Sequence, residues 1–185
     1  MKPLQLDKPH ALIVVGIQGS GKTFFAKKFA DTFKAPFLEQ SMFSDLSRDE
    51  AAAGELMGSM TDELSKTGRS IVIELAQSSR SGRTELVKRL KSVGYVPLFV
   101  WVQVDLDTAM SRTYRAHRID DQTYRDTMRA FSQPHPSEKA LVISGKHTFA
   151  TQAKAVLKKL VVPRGESDNP TPPRSAPARG QIIVR

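Results

Sequence analysis

The chain has no cysteine, so it can form neither disulfide bonds nor thiolate metal sites. Its four histidines do not have the spacing of metal ligands: His10, His117, His135 and His147. No apolar run reaches the length of a membrane-spanning helix, and no signal peptide is seen before the first apolar run at Ala11. We therefore expect a cytoplasmic protein without a membrane segment and without a histidine metal site.

Length and composition predict one domain followed by a tail. A chain of 185 residues with a net charge of +9 is long enough to bury a core, and its basic charge favours anionic partners or only adds solubility. We place the domain at residues 1–162. Residues 163–185 contain five prolines and few apolar groups, so we expect a disordered tail. Its apolar end, Gln181 to Arg185, is either a frayed terminus or a segment that binds a protein partner or adds an edge strand.

One stretch has a specific chemical meaning. Residues 16–23 read Gly-Ile-Gln-Gly-Ser-Gly-Lys-Thr and match the phosphate-loop pattern G-x-x-x-x-G-K-[ST] at every fixed position. An apolar run at 11–15 predicts a buried strand before it, and phenylalanines every four residues predict a helix over 24–33. A chance glycine-rich turn would lack these flanks. The pattern therefore predicts binding of a nucleoside triphosphate, which we take to be ATP.

Each part of the loop has an expected role. Glycine lets successive backbone N–H groups point into one concavity, and the start of a helix adds its dipole. Lys22 supplies a charge for the β- and γ-phosphates, and Thr23 supplies a hydroxyl for Mg²⁺. The candidate ATP-binding residues are Gly16, Gln18, Gly19, Ser20, Gly21, Lys22, Thr23, Phe24 and, from a later helix, Arg112.

Strands and helices alternate along the chain. We expect strands at 11–15, 36–39, 70–75, 96–104 and 140–143, separated by helices that include 49–66, one opening at 81–82 and one starting at 108. In the helix over 49–66, Leu56, Met57, Met60 and Leu64 are expected to share one face. Such alternation predicts an α/β fold of three α/β/α layers around a mostly parallel five-stranded sheet, as in P-loop NTPases. Ligands then bind beyond the carboxyl ends of the strands.

Carboxylates at those strand ends are the next candidates for residues of the site. Glu74 interrupts an apolar strand, where a buried charge needs compensation by a cation or metal, although a solvated strand end is the alternative. Glu39 ends the second strand and either orients a hydroxyl or is a solvated loop residue, with Asp45 as a weaker substitute. Asp105 and Asp107 follow the long strand. Helix capping is the simpler role for both, and Asp107 is placed to cap a helix from Thr108.

An arginine-rich segment predicts a lid over 112–130. Arg112, Arg115 and Arg118 recur every three residues, so they share one helical side and can stabilise charge on a transferring phosphoryl group. The alternative is a solvated basic helix with acidic counter-charges. We expect two helices joined near 119–120. His147, in the loop before the last helix, either lines an adenine pocket or lies in a surface turn.

From about Ala11 to Leu160 the chain resembles small P-loop kinases of the polynucleotide-kinase and zeta-toxin group. The phosphate loop is similar to their G-x-P-G-S-G-K-[ST], with Gln18 in place of proline, and residues 71–74 are similar to the zeta-toxin strand I-I-E-G-T. Arg115-x-x-Arg118, the F-x-x-P segment at 131–134 and Glu138 ahead of Val-Ile complete the resemblance. In that group an aspartate after the second strand is usually the base, whereas residues 39–43 read Glu-Gln-Ser-Met-Phe here.

The resemblance implies transfer of the ATP γ-phosphate to a hydroxyl on a small molecule, a nucleotide sugar or a nucleic-acid 5′ end, with ATP and Mg²⁺ as cofactors. Glu39 is the best replacement for the missing aspartate, followed by Asp45. The candidate catalytic residues are therefore Lys22, Glu39, Glu74, Arg115 and Arg118. The alternatives are a nucleotide-binding regulatory or adaptor module without phosphotransfer and a slow NTPase or motor. The motor is less favoured because the strand at 71–74 ends in Glu rather than Asp.

Overall fold

A computed structural model describes residues 6–76, 79–117 and 120–161, apart from the side chains at 117 and 130. The strands are β1 (His10–Val15), β2 (Phe37–Glu39), β3 (Ile71–Glu74), β4 (Val96–Gln103) and β5 (Leu141–Ser144). The helices are α1 (Lys22–Phe33), α2 (Gln40–Leu46), α3 (Glu50–Ser65), α4 (Arg80–Ser92), α5 (Leu106–His117), α6 (Asp121–Ala130) and α7 (Phe149–Val161), with a 3-10 turn at Pro136–Glu138. The expectations for Arg118 and for the tail at 163–185 lie outside the described residues.

The strands form one parallel sheet in the order β2-β3-β1-β4-β5. Because every pair is parallel, each connection crosses over the sheet and all carboxyl ends meet at one edge. β1 lies in the centre, between β3 and β4, so the loop that follows it opens in the middle of that edge. This confirms the expected five-stranded α/β architecture.

Alternate side chains of β1 feed two separate cores. Leu12 and Val14 pack with the phenylalanines of α1 and with α7, whereas Ala11, Ile13 and Val15 pack with residues of α3 and α4. The helices therefore cover both faces of the sheet, which explains why its central strands are apolar on both sides. In α1, Phe25, Phe29 and Phe33 are buried in a stack with ring centroids 5.6 and 4.6 Å apart, as their four-residue spacing predicts.

The α3 prediction was wrong about its face. Met57 and Leu64 pack against the core, but Leu56 and Met60 are exposed. Ala53, Gly58 and Thr61 take the inner positions, and a Cβ on Gly58 would lie 2.4 Å from the Arg89 guanidinium of α4. Helix periodicity alone does not choose between two adjacent stripes of a helix.

Two further local predictions need correction. The residues after β2 form helix α2, which the sequence analysis did not predict. Asp107 does not cap a helix from Thr108: the helix starts earlier, at Leu106, and the Asp105 carboxylate accepts the Thr108 N–H at 2.9 Å. Asp107 instead lies in the first turn of α5. Within the described ranges, no helix combines the length and the apolar character needed to cross a membrane.

Candidate active site

The phosphate-loop segment 16–23 lies at the central strand edge, between β1 and α1. Gly21 is the N-cap of α1 with a φ of 91°, a left-handed conformation that favours glycine. No side chain caps this helix, and its first turn contains no acidic residue. The first N–H groups of α1, which have no partner within the helix, are therefore available to an anion together with the positive end of the helix dipole.

Neighbouring backbones hold the loop closely. A Cβ on Gly19, where φ is 81°, would lie 2.1 Å from the Ala109 carbonyl oxygen of α5. A Cβ on Gly145, in the loop after β5, would lie 2.0 Å from the Ser20 carbonyl oxygen. These contacts exclude larger residues at both positions and fix the loop between α5 and the β5–α7 connection.

Lys22, Thr23 and Glu74 meet directly behind the loop. The Thr23 hydroxyl donates to Glu74 Oε1 at 2.7 Å, and Lys22 Nζ lies 3.9 Å from the same oxygen. Glu74 is only 3% exposed, and its Oε2 is buried without a hydrogen-bond partner among the described residues. This places a lysine, a hydroxyl and a carboxylate with spare coordinating capacity at the point where a phosphate group would bind.

Burial disfavours the charged forms of both Lys22 and Glu74. Desolvation lowers the pKa of Lys22 below its ordinary value, although Glu74 and Glu39 oppose the shift. Desolvation also raises the pKa of Glu74, against the opposing effects of the Thr23 hydroxyl and Lys22. A site in which both charges are incompletely compensated would gain from a triphosphate and a divalent cation, which supply opposite charge to each.

Glu39 joins this cluster from the neighbouring strand. It lies opposite Glu74 in the β2–β3 register, and its carboxylate accepts from Ser41 Oγ at 3.0 Å and pairs with Lys27 Nζ at 2.9 Å. One quarter of the Glu39 side chain is exposed, against 4% for Glu74. The two carboxylates are therefore neighbours with different surroundings. Glu74 is buried and hydrogen-bonded to Thr23, whereas Glu39 is partly exposed to solvent.

Gln40, the residue after Glu39, has a structural role. The Gln40 side-chain oxygen accepts the N–H of Ala76 at 3.0 Å, which ties the start of α2 to the end of β3. The position directly after β2, where the resemblance implied an aspartate, therefore holds an amide that secures two strand ends. Asp45 lies at the exposed end of α2, five residues beyond Gln40.

Helices α5 and α6 cover the loop from the other side. Tyr124 of α6 is buried, and its hydroxyl donates to the Gln18 carbonyl at 3.4 Å, while Tyr114 packs edge-on against its ring at 6.0 Å. Arg112 of α5 donates to the Gly145 carbonyl at 3.1 Å. Arg115 is exposed on the same helix and has no hydrogen bond or ion pair with another described residue. Of the three lid arginines, the structure brings Arg112 to the loop.

The β5–α7 connection completes this edge. Lys146 forms an ion pair with Asp105. The hydrogen bond from Lys146 is the largest cause that holds the pKa of Asp105 well below its usual range, and the hydrogen bond from the Thr108 backbone N–H is the next largest. The His147 side chain is exposed, and the His147 backbone N–H donates to the Ser144 carbonyl at 3.2 Å within a turn. Asp105 therefore serves to cap a helix and to tie two loops together.

No family model and no curated protein matches this sequence. Solved structures do match. A sugar kinase from Janibacter sp. HTCC2649 is 16% identical with a TM-score of 0.66, covering 83% of this chain and 96% of that one. A gluconokinase from Sinorhizobium meliloti 1021 is also 16% identical, with a TM-score of 0.62 and coverage of 82% and 91%. The Mycobacterium tuberculosis APS kinase, solved with AMPPNP and APS, is 16% identical with a TM-score of 0.61 and coverage of 82% and 96%.

The chain shares the fold of these kinase structures. At these identities the likeness shows the architecture alone, and it does not single out the zeta-toxin-like kinases.

Sequence reasoning missed one buried ion pair of this fold. Arg83 of α4 is fully buried and forms two hydrogen bonds with Glu138, Nε to Oε1 at 2.7 Å and Nη2 to Oε2 at 2.9 Å. It also donates to the backbone carbonyls of Ser132 and Gln133. These contacts fasten the segment after α6 to α4. The only signal in the sequence was Glu138 itself, which the family pattern marked without a role.

Phe24 lies beside the loop but faces solvent. It is 61% exposed, and Lys28 Nζ lies 5.3 Å from its ring and 5.2 Å from that of Phe149. The structure thus places Phe24 on the outer side of α1, near the start of α7, where a planar ligand group would have to approach from solvent.

The oxygen donors at the site determine which divalent cation fits there. Within the described residues no three side chains from His, Cys, Asp and Glu form a metal-binding group. The cluster instead offers the Thr23 hydroxyl and the unpartnered Glu74 Oε2. Mg²⁺ keeps several waters and takes only one or two protein ligands beside phosphate oxygens. The donors at this site fit such a cation.

Proposed function

We propose that this chain is an ATP-dependent kinase that transfers the γ-phosphate to a hydroxyl acceptor. The observation that carries the proposal is the cluster of Lys22, Thr23 and Glu74 at the uncapped start of α1. It offers backbone N–H groups, an ammonium, a hydroxyl and a buried carboxylate at one point of the sheet edge. The kinase structures that share the fold support the proposal. The cytoplasm, where ATP is available, is the compartment we propose.

The loop amides and Lys22 would bind the phosphates, and Arg112 and the 145–149 connection would lie on the nucleoside side. Arg112 supports this assignment because it already contacts the Gly145 carbonyl beside the loop. ATP as the nucleotide is supported by the APS kinase of the same fold, which was solved with AMPPNP. Phe24 remains a proposed contact on the exposed side of α1.

Thr23, with Glu74 behind it, would hold Mg²⁺. The cation would neutralise charge on the phosphate oxygens. Glu74 contributes by accepting the Thr23 hydrogen, which leaves the hydroxyl oxygen lone pairs free to face outward.

Glu39 is the proposed base. In the reaction the acceptor oxygen bonds to the γ-phosphorus, its proton passes to the carboxylate, and the bond to the β-phosphate oxygen breaks to release ADP. Glu39 suits this role better than Glu74 because it is partly open to solvent, whereas Glu74 is buried and bonded to Thr23. Lys22 balances charge on the transferring group, and Arg115 and Arg118 are proposed to approach it from the lid.

The proposed acceptor is a hydroxyl on a small molecule, a nucleotide sugar or a nucleic-acid 5′ end. The chain's excess of basic residues favours an anionic acceptor. The acceptor would enter beside Glu39, between α2 and the segment that follows β3.

Transfer of ³²P from labelled ATP tests the proposal. Wild-type protein with Mg²⁺ is incubated with sugars, nucleotide sugars and a 5′-hydroxyl oligonucleotide, and labelled products are separated. We expect one class to be labelled, with a loss of at least about 100-fold in Glu39→Gln and in Lys22→Ala. The exposed α4 residue Lys88 supplies the matched control Lys88→Ala, which should keep full activity. Label found only as inorganic phosphate across all panels would contradict kinase function.

The second candidate is a nucleotide-binding regulatory module without phosphotransfer, for which the tail would recruit a protein partner. One observation favours it: Gln40, rather than an aspartate, follows β2 and is engaged with Ala76. Calorimetry separates the two. Tight Mg·ATP binding without any labelled product, unchanged in Glu39→Gln, would support the regulatory module.

A further inference from the structure

Two adjacent helices expose apolar side chains in matching pairs. Met42 and Leu46 are 49% and 72% exposed on α2, and Leu56 and Met60 are 42% and 43% exposed on α3. Each pair is spaced by four residues and so lies on one side of its helix. α2 packs directly against α3. We call these four side chains the α2–α3 apolar surface.

The same helices carry an excess of negative charge. Residues 40–65 contain six acidic side chains and one basic side chain, in a chain whose net charge is +9. Asp62 pairs with Arg89, and Glu63 pairs with Lys66. Three acidic side chains have no hydrogen bond or ion pair with another described residue: Asp45, Glu50 and Glu55. An occupant of this surface should therefore be apolar and positively charged.

The end of this chain has that chemistry. Residues 174–185 contain three arginines and no acidic side chain, and they close on the apolar run Ile182-Ile183-Val184 between Arg179 and Arg185. An apolar run flanked by cations complements exposed apolar side chains on two helices that carry an excess of carboxylates. Burying three such β-branched side chains removes apolar area from water, and this gain is offset by the cost of ordering the segment.

The segment is long enough to reach the surface. The last described helix ends at Val161, and 20 residues separate it from Ile182. Fully extended, that connection spans about 70 Å. A folded domain of this size has a radius of gyration of about 15 Å, so the end of the chain can reach any part of its own surface.

We propose that the C-terminal residues 174–185 dock in cis on the α2–α3 apolar surface, with Ile182 and Ile183 against the exposed leucine and methionine side chains and the arginines facing Asp45, Glu50 and Glu55. This inference does not rest on the proposed kinase activity.

The chain's own composition makes a clean experiment possible. The full-length protein has no cysteine, so Ala178→Cys carries a single nitroxide spin label, and its six methionines can carry ¹³C-methyl labels. Relaxation of each methyl by the nitroxide reports its distance from the tail. We expect the Met42 and Met60 signals to lose at least half of their intensity, whereas Met110 on α5 and Met128 on α6 serve as reporters away from the surface.

Two controls decide the outcome. Ile182→Asp with Ile183→Asp in the same labelled chain should restore the Met42 and Met60 signals while far-UV circular dichroism shows that the domain stays folded, and Glu55→Lys should restore them in part. Full intensity of both methyls in the parent protein overturns the proposal, as does equal loss in the Asp variant. Loss that appears equally when spin-labelled and ¹³C-labelled chains are mixed assigns the surface to a second copy and overturns docking in cis.

Discussion

Replacing Glu138 by glutamine tests how far the buried ion pair holds the fold. Arg83 is fully buried and Glu138 is 10% exposed in its side chain, so the guanidinium depends on protein groups for compensation. The variant removes the negative charge and one of two acceptor oxygens, while the carbonyls of Ser132 and Gln133 remain in place. Arg83 would be left buried with a positive charge and no counter-charge.

Breaking a buried pair by removing one partner costs about 3–5 kcal/mol. Because Glu138 is partly accessible and glutamine keeps one acceptor, we expect the lower end, about 3 kcal/mol. With a urea m-value of about 2 kcal/mol/M, the midpoint should fall by about 1.5 M. Glu63→Gln is the matched control, because Glu63 forms an exposed pair with Lys66 and should cost less than about 0.5 kcal/mol.

Urea unfolding followed by far-UV circular dichroism and by fluorescence of the single tryptophan, Trp101, measures both variants. Arg83→Met alone and combined with Glu138→Gln completes a double-mutant cycle, and the double variant should be more stable than Glu138→Gln alone. If Glu138→Gln lost no more stability than Glu63→Gln, the pair would not secure the segment after α6, and the reasoning would fail.

The pH dependence supplies an independent check. The hydrogen bond from Arg83 is the largest cause that lowers the pKa of Glu138 below its ordinary value of 4.5. A carboxyl with a lowered pKa stabilises the fold above its unfolded pKa and loses that contribution as pH falls through the folded one. The stability difference between wild type and Glu138→Gln should therefore be full at pH 7 and shrink below about pH 4.5. A difference independent of pH would contradict this assignment.

The remaining predictions concern two glycines and Glu74. Gly19→Ala should destabilise by at least about 2 kcal/mol and abolish Mg·ATP binding in calorimetry, because its Cβ would clash with the Ala109 carbonyl at a left-handed φ. Gly54→Ala, in the interior of α3 with open space around its Cβ, should stabilise by about 0.5–1 kcal/mol in urea, and a loss there would refute the helix-propensity argument. Glu74 has a raised pKa, so its folded form keeps a proton that the unfolded chain has lost, and wild-type stability should fall as pH rises above 4.5. Glu74→Gln, which still accepts from Thr23, should lack that fall in melting curves from pH 4.5 to 8; parallel curves would exclude burial as the cause.

The phosphate loop could be predicted because all of its parts are consecutive. Glycine spacing, Lys22 and Thr23 lie within eight residues, and the strand and helix around them show in the same stretch. Glu74 could be predicted because a charge inside an apolar strand stands out against its neighbours. In both cases the physical signal is local, so it survives without knowledge of the fold.

Other features depended on contacts between distant residues. Arg83 and Glu138 are 55 positions apart, and neither differs in sequence from a surface charge. The outward direction of Leu56 and Met60 depended on which stripe of α3 faces the buried core. The sequence predicted Asp107 as the cap of α5, whereas the structure shows that Asp105, two residues earlier, has this role. Such an error is typical where two acidic residues lie near one helix start.

By itself the sequence determined the alternation of strands and helices, the parallel sheet that follows from it, and the glycine-rich loop between the first strand and the first helix, because periodicity and backbone requirements are local. Only the tertiary structure decided which carboxylates meet that loop, that Glu39 pairs with Lys27 while Glu74 is bonded to Thr23, and that α5 and α6 already lie against it. These depend on the order of strands in the sheet and on burial, and both are properties of the assembled chain rather than of any segment.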